Sequence, residues 1–168
     1  MVRISAISCI LASVVVAIQA ASIPSGVYRI KDSYDQLITM RSRNPNERIV
    51  LLPLSKNPKR DRLNQEWHVT KADGSDQVYI RNKQTGLYLS EQLGMAKPTN
   101  AVIQSKDKHG WKLAEAGNNL SLHYYIKTSS SEDLFVSQSL LMIYPPWVDL
   151  LAKNEHFSQV WKFERINA

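Results

Sequence analysis

Residues able to do covalent chemistry are sparse in this chain, and their spacing fits no reaction motif. Four histidines, His68, His109, His123 and His156, are scattered at intervals that suit no metal site. No Gly-x-Ser-x-Gly elbow presents a nucleophile, no His-Glu-x-x-His pair could hold a metal beside a general base, and no glycine-rich phosphate loop or acidic calcium loop is present. The 15 carboxylates include no pair that the sequence marks out for acid–base work. The expectation is a binding protein, not an enzyme, with no cofactor and no metal. Two stretches have the composition for recognition. One is Asn64-Gln65-Glu66-Trp67, echoed by Ser158-Gln159-Val160-Trp161. The other is Leu140-Leu141-Met142-Ile143-Tyr144-Pro145-Pro146-Trp147, which lies within a span from Leu134 to Ala152 that has no lysine or arginine.

Such residues need a frame. Residues 1–20 are expected to lie outside it. Arg3 gives a positive start, residues 4–18 are apolar, and small residues permit a cut after Ala20, the pattern of a secretory signal peptide. Residues 21–168 then form one secreted, extracellular domain, expected to be monomeric. Cys9 leaves with the signal, so disulfides, thiol catalysis and thiolate metal sites are not expected. No later run is apolar for about 18 residues, so no other membrane span is expected. Without Arg3, the 21 basic residues fall to 20 against 15 acidic ones, a mild excess. The densest cluster, Lys56, Lys59, Arg60 and Arg62, has no interleaved aromatics or glycines. It reads as a solvated loop or a weak attraction to acidic surfaces, not as a nucleic-acid platform. Asn119-Leu120-Ser121 is an N-glycan acceptor sequence.

Strand signals dominate. Short runs rich in β-branched and aromatic residues lie at 26–30, 36–40, 49–54, 66–70, 78–82, 87–90, 101–105, 111–114, 120–126, 134–137, 148–152 and 160–166, each bounded by turn formers. Asp73-Gly74 marks a tight hairpin. The pattern also repeats. Trp67, Trp111 and Trp161, spaced 44 and 50 residues apart, are each followed, after a spacer, by an apolar residue. Val27-Tyr28, Val78-Tyr79 and Tyr124-Tyr125-Ile126 open three similar units. Three four-stranded units with pseudo-threefold symmetry predict an all-β β-trefoil: a six-stranded barrel under three hairpins, with the tryptophans as interior, structural residues.

Two families resemble parts of this pattern. Asn64-Gln65-Glu66-Trp67 and Ser158-Gln159-Val160-Trp161 resemble the Gln-x-Trp repeat of ricin B-type lectins, while His109-Gly110-Trp111 lacks the glutamine. That resemblance implies a glycan partner, with Asn64 and Gln65 as candidate sugar-binding residues. The carboxylate that clasps sugar hydroxyls in that family is missing: the corresponding strands end in Met40, Ser90 and Ser137. A second resemblance runs the length of residues 21–168. Ile23-Pro24-Ser25-Gly26-Val27-Tyr28, the segment 41–54, residues 101–113, residues 124–136 and the closing Phe163-Glu164-Arg165-Ile166 are similar, in order, to fungal β-trefoil serine-protease inhibitors of the mycospin type. It implies a serine endopeptidase as partner and a long, proline-containing loop in the third unit.

Under that resemblance the contact loop is Leu141, Met142, Tyr144, Pro145 and Pro146. Prolines hold such a loop extended, and an apolar central side chain suits the pockets of chymotrypsin- or subtilisin-like enzymes. A trypsin-directed loop would have to use Arg43, Arg48 or Lys71 instead. The competing reading makes residues 140–144 a core strand with only Pro145-Pro146-Trp147 exposed. Neither reading is excluded by the sequence.

Overall fold

The computed structural model describes residues 23–56, 62–93, 100–117, 121–130, 133–153 and 158–166. Residues 1–20, expected to be a signal peptide, and Lys59, Arg60, the Asn119 acceptor and His156 lie outside them. Twelve strands form, and each overlaps one of the predicted runs: β1 Gly26–Lys31, β2 Leu37–Thr39, β3 Val50–Leu52, β4 Trp67–Lys71, β5 Gln77–Asn82, β6 Tyr88–Gln92, β7 Asn100–Ser105, β8 Gly110–Glu115, β9 His123–Thr128, β10 Leu134–Gln138, β11 Val148–Ala152 and β12 Val160–Arg165. A single 3-10 turn, Arg62–Gln65, precedes β4.

The antiparallel pairings close a ring. β1 pairs with β4, β4 with β5, β5 with β8, β8 with β9, β9 with β12, and β12 returns to β1. This six-stranded barrel has no free edge, which removes the hazard of unpaired strand edges. Each barrel strand alternates, sending two residues inward: Tyr28 and Ile30, Trp67 and Val69, Val78 and Ile80, Trp111 and Leu113, Tyr124 and Ile126, Trp161 and Phe163. Each tryptophan sits opposite the first inward residue of its own unit, Tyr28, Val78 or Tyr124. The three tryptophans are fully buried. The predicted hairpin joins β4 to β5, with Gly74 in the left-handed region at φ 69°.

The hairpins β2–β3, β6–β7 and β10–β11 form the cap. Every unit joins its cap hairpin to its barrel strand through the same buried bond. Trp67 Nε1–H donates to Ile38 O at 3.0 Å, Trp111 to Leu89 O at 3.0 Å and Trp161 to Val136 O at 2.8 Å. Around the axis the hairpins contact one another cyclically: Arg48 bridges Ile103, Ala101 pairs with Asp149, and Trp147 bridges Val50.

Trp161→Phe keeps an aromatic in place but strips the donor from Val136 O and leaves a void. A cost of about 2–4 kcal/mol is expected, because an orphaned buried carbonyl adds to the lost packing. Urea unfolding read against the unchanged chain checks it. A cost below about 1 kcal/mol would show that the indole bond carries little of the stability.

Candidate functional site

The register fixes which residues of the three units correspond. Thr39 pairs with Val50, Ser90 with Ile103 and Ser137 with Asp149, so these are equivalent rungs of the three cap hairpins. Two residues before each tryptophan, Gln65, His109 and Gln159 are likewise equivalent.

Gln65 is an internal clasp. Its amide donates to Thr39 Oγ1 at 3.2 Å and Pro53 O at 2.9 Å, and its Oε1 accepts from Ser55 N–H at 3.1 Å. Both amide hydrogens are thereby used. Gln159 repeats the arrangement, donating to Ser137 Oγ at 2.8 Å and Ala152 O at 2.9 Å. These two glutamines shape the hairpin beneath a surface site and have no donor left for a ligand. His109 replaces the clasp in unit two. Its ring packs edge-on against Trp111, 4.6 Å between centroids, and its Nε2 has no hydrogen-bond partner, with Glu91 Oε2 3.8 Å away.

Unit one carries a pocket of about 530 Å³. Thr39, Met40 and Arg41 at the end of β2, Leu52 at the end of β3 with residues 53–56 after it, and Asn64 with Gln65 from the 3-10 turn build its walls. Met40 is fully buried, and its N–H donates to Asn64 O at 3.1 Å, which fixes the turn against the hairpin. The remaining lining residue, Tyr144, arrives from unit three and is 84 % exposed.

Tyr144 belongs to the loop 139–147 between β10 and β11. Of the two readings of this segment, the exposed loop is the one observed. Leu140, Leu141, Met142 and Ile143 all face solvent, Met142 fully at 103 %, while Pro145, Pro146 and Trp147 are half-buried. The exposed and covered parts are thus reversed relative to the core-strand reading. The reason is that β10 and β11 already pair along five rungs, Leu134–Ala152 to Gln138–Val148, leaving residues 139–147 to bridge them. The loop is pinned at both feet. Ser139 N–H donates to Trp147 O at 2.9 Å, and Leu51 N–H donates to Pro146 O at 2.8 Å.

Arg48 secures that second foot. Its guanidinium lies 4.3 Å from the Trp147 ring centre, and its Nη1 is 2.7 Å from Asp149 Oδ1. Asp149 is fully buried, and burial pushes its carboxyl up against the opposing effects of Ser139 and Arg48. Arg48, one of the candidate inhibitory residues, is therefore committed to holding the cap together. Arg43 and Lys71 are exposed, the first in the β2–β3 loop and the second at the start of the β4–β5 turn.

The structure thus brings Asn64, Gln65 and Tyr144 to one pocket and puts Leu141 and Met142 on a neighbouring one, which Tyr144 also lines together with Tyr34 and Ser158. The sequence does not place Tyr144 beside the pocket that Asn64 lines. The only sequence signal of that meeting is the greater length of the third unit, which does not say which unit the extra residues reach.

No protein-family model matches the chain, and no curated protein matches it. Solved structures do. The ricin B-like lectin of Macrolepiota procera, in complex with lactose, superposes with a TM-score of 0.68 at 17 % identity, over 87 % of this chain and 100 % of that one. The Rhizoctonia solani agglutinin gives 0.67 at 16 %, over 87 % and 99 %. The Polyporus squamosus lectin bound to Neu5Acα2-6Galβ1-4GlcNAc gives 0.64 at 18 %, over 86 % of this chain and 50 % of that one. The chain is a β-trefoil. At these identities the likeness establishes the fold of the trefoil and nothing finer.

His109 makes one property of this trefoil testable. Burial holds its imidazole below the ordinary value of 6.5. Below pH 6.5 the unfolded chain takes up a proton that the folded chain resists. Stability from this group is complete above about pH 6.5 and is lost as the pH falls below it. His109→Gln, which installs the clasp residue of the other units, should reduce the drop in urea midpoint between pH 7.5 and pH 5. An equal drop in both proteins would refute the assignment.

Proposed function

We propose that the trefoil binds carbohydrate through the unit-one pocket. The observation that carries the reading is the convergence of Asn64 and Tyr144 on one concave surface. A pyranose has a polar edge of hydroxyls and an apolar face of C–H groups. It calls for a few placed hydrogen-bonding groups beside an exposed aromatic or apolar wall. Asn64 supplies the first, and Tyr144 with Leu54 the second. The fold is shared with three lectins, one holding lactose and another a sialylated trisaccharide, which supports the reading. A glycan array of neutral and acidic structures tests it. Asn64→Ala and Tyr144→Ala should each weaken binding about tenfold or more, equal to about 1.4 kcal/mol, with unchanged melting temperature. No binding to any glycan at tens of micromolar protein would end this reading.

A second reading rests on a separate observation, the exposed apolar segment Leu140–Tyr144. Pinned at both feet and braced within by Leu141 N–H on Ser139 Oγ and Ile143 N–H on Leu141 O, it is an ordered apolar loop that could enter a protease cleft at low entropic cost. Contact with a serine endopeptidase would centre on Leu141, Met142 or Tyr144, and the apolar character favours chymotrypsin- or subtilisin-like targets over trypsin. In a titration against all three enzymes, Met142→Gly should raise the inhibition constant of any enzyme that is inhibited. Absence of inhibition at micromolar protein removes this reading and leaves the first untouched.

A further inference from the structure

We infer that the saccharide taken by the unit-one pocket is anionic, carrying a carboxylate or sulfate group. The inference rests on the carbohydrate reading and concerns what that pocket selects. Neutral sugars offer mainly hydroxyl donors and are commonly clasped by a carboxylate accepting two of them. The described lining of this pocket includes Arg41 and Lys56 and no aspartate or glutamate. Where a clasping carboxylate would emerge from the end of β2, the chain has Met40, buried and receiving the Thr85 hydroxyl on its sulfur at 3.2 Å, followed by Arg41. Gln65 has no donor to spare. The wall therefore presents Arg41, Lys56 and the Asn64 amide, a set dominated by cationic donors. Among the described residues no carboxylate pairs with Arg41 or Lys56.

The distribution of charge along the chain points the same way. Residues 41–62 contain Arg41, Arg43, Arg48, Lys56, Lys59, Arg60 and Arg62 against only Glu47 and Asp61. Their net charge equals that of the whole of residues 21–168, so the rest of the chain is balanced. Arg48 is neutralised by Asp149. Of the other cations in that segment, Arg41 and Lys56 line the pocket. A guanidinium and an ammonium lining one pocket bind a carboxylate or sulfate through charge-assisted hydrogen bonds, about twice as strong as neutral ones.

The test is titration calorimetry of the full chain with lactose, sialyllactose and a sulfated lactose. The expected result is binding of one or both acidic sugars at least tenfold tighter than lactose in 50 mM salt. That preference should shrink at 500 mM salt, where the screening length falls to a few ångströms. Which acidic sugar binds identifies carboxylate or sulfate as the recognised group. Arg41→Gln with Lys56→Gln should reduce acidic-sugar affinity to the level of lactose without changing the melting temperature. Polyglutamate serves as a control for attraction by charge alone. Equal affinity for lactose and both acidic sugars overturns the inference while leaving carbohydrate binding standing. Acidic-sugar binding that Asn64→Ala and Tyr144→Ala leave intact, and that polyglutamate matches, overturns it in favour of a generic basic surface. Silence from all three sugars and from a wider array overturns the carbohydrate reading itself.

Discussion

One buried hydrogen bond, made three times, holds the molecule to its shape. A trefoil unit has two parts that cannot cover each other alone: a barrel pair, and a hairpin that must close one end of the barrel. The indole N–H of Trp67, Trp111 or Trp161 reaches from the first to a carbonyl of the second, at Ile38, Leu89 or Val136. Tryptophan suits the task because one side chain fills the barrel interior and carries a donor at its far edge. The donor must be met, since an orphaned buried polar group costs about 1–3 kcal/mol. Each hairpin is thereby fixed in height and rotation relative to the barrel. The pocket walls and the β10–β11 loop inherit their positions from that bond.

On this symmetric frame, function resides in departures from symmetry. Gln65 and Gln159 preserve the hairpin geometry, and His109 abandons it. The third hairpin carries the long loop that delivers Tyr144 to the first unit's pocket. Delivery depends on Leu51 N–H meeting Pro146 O and on Arg48 lying over Trp147. The candidate site is therefore a composite of units one and three, and its rim is as stable as the contact between their hairpins.

The barrel strands could be read from the sequence because each alternates in an antiparallel setting, while the cap strands, buried at consecutive residues, were legible from their β-branched residues and the turn formers at their ends. The threefold repeat was legible because tryptophan is rare and its spacing nearly regular. The loop 139–147 was ambiguous for a physical reason. Five consecutive apolar residues look alike whether they fill a core or project from it. Only the pairing of residues 134–138 with 148–152 leaves them outside. Asn64 could be found by its place before Gln65-Glu66-Trp67. Its pocket neighbour Tyr144 could not, since proximity across units comes from closure of the cap and leaves no local pattern. Arg48 looked like a free cation because its partner, Asp149, is 101 residues away.

That same pair bears on how the chain finds one arrangement. Val50, Ile103 and Asp149 occupy matching rungs, so the backbones of the three hairpins alone do little to distinguish one berth from another. A carboxylate at one berth and a guanidinium at its neighbour make the berths distinguishable. With units one and three exchanged, Asp149 would be enclosed without its counter-ion, at a cost of several kcal/mol. The ion pair thus penalises that exchange, an effect for which net stabilisation is not required.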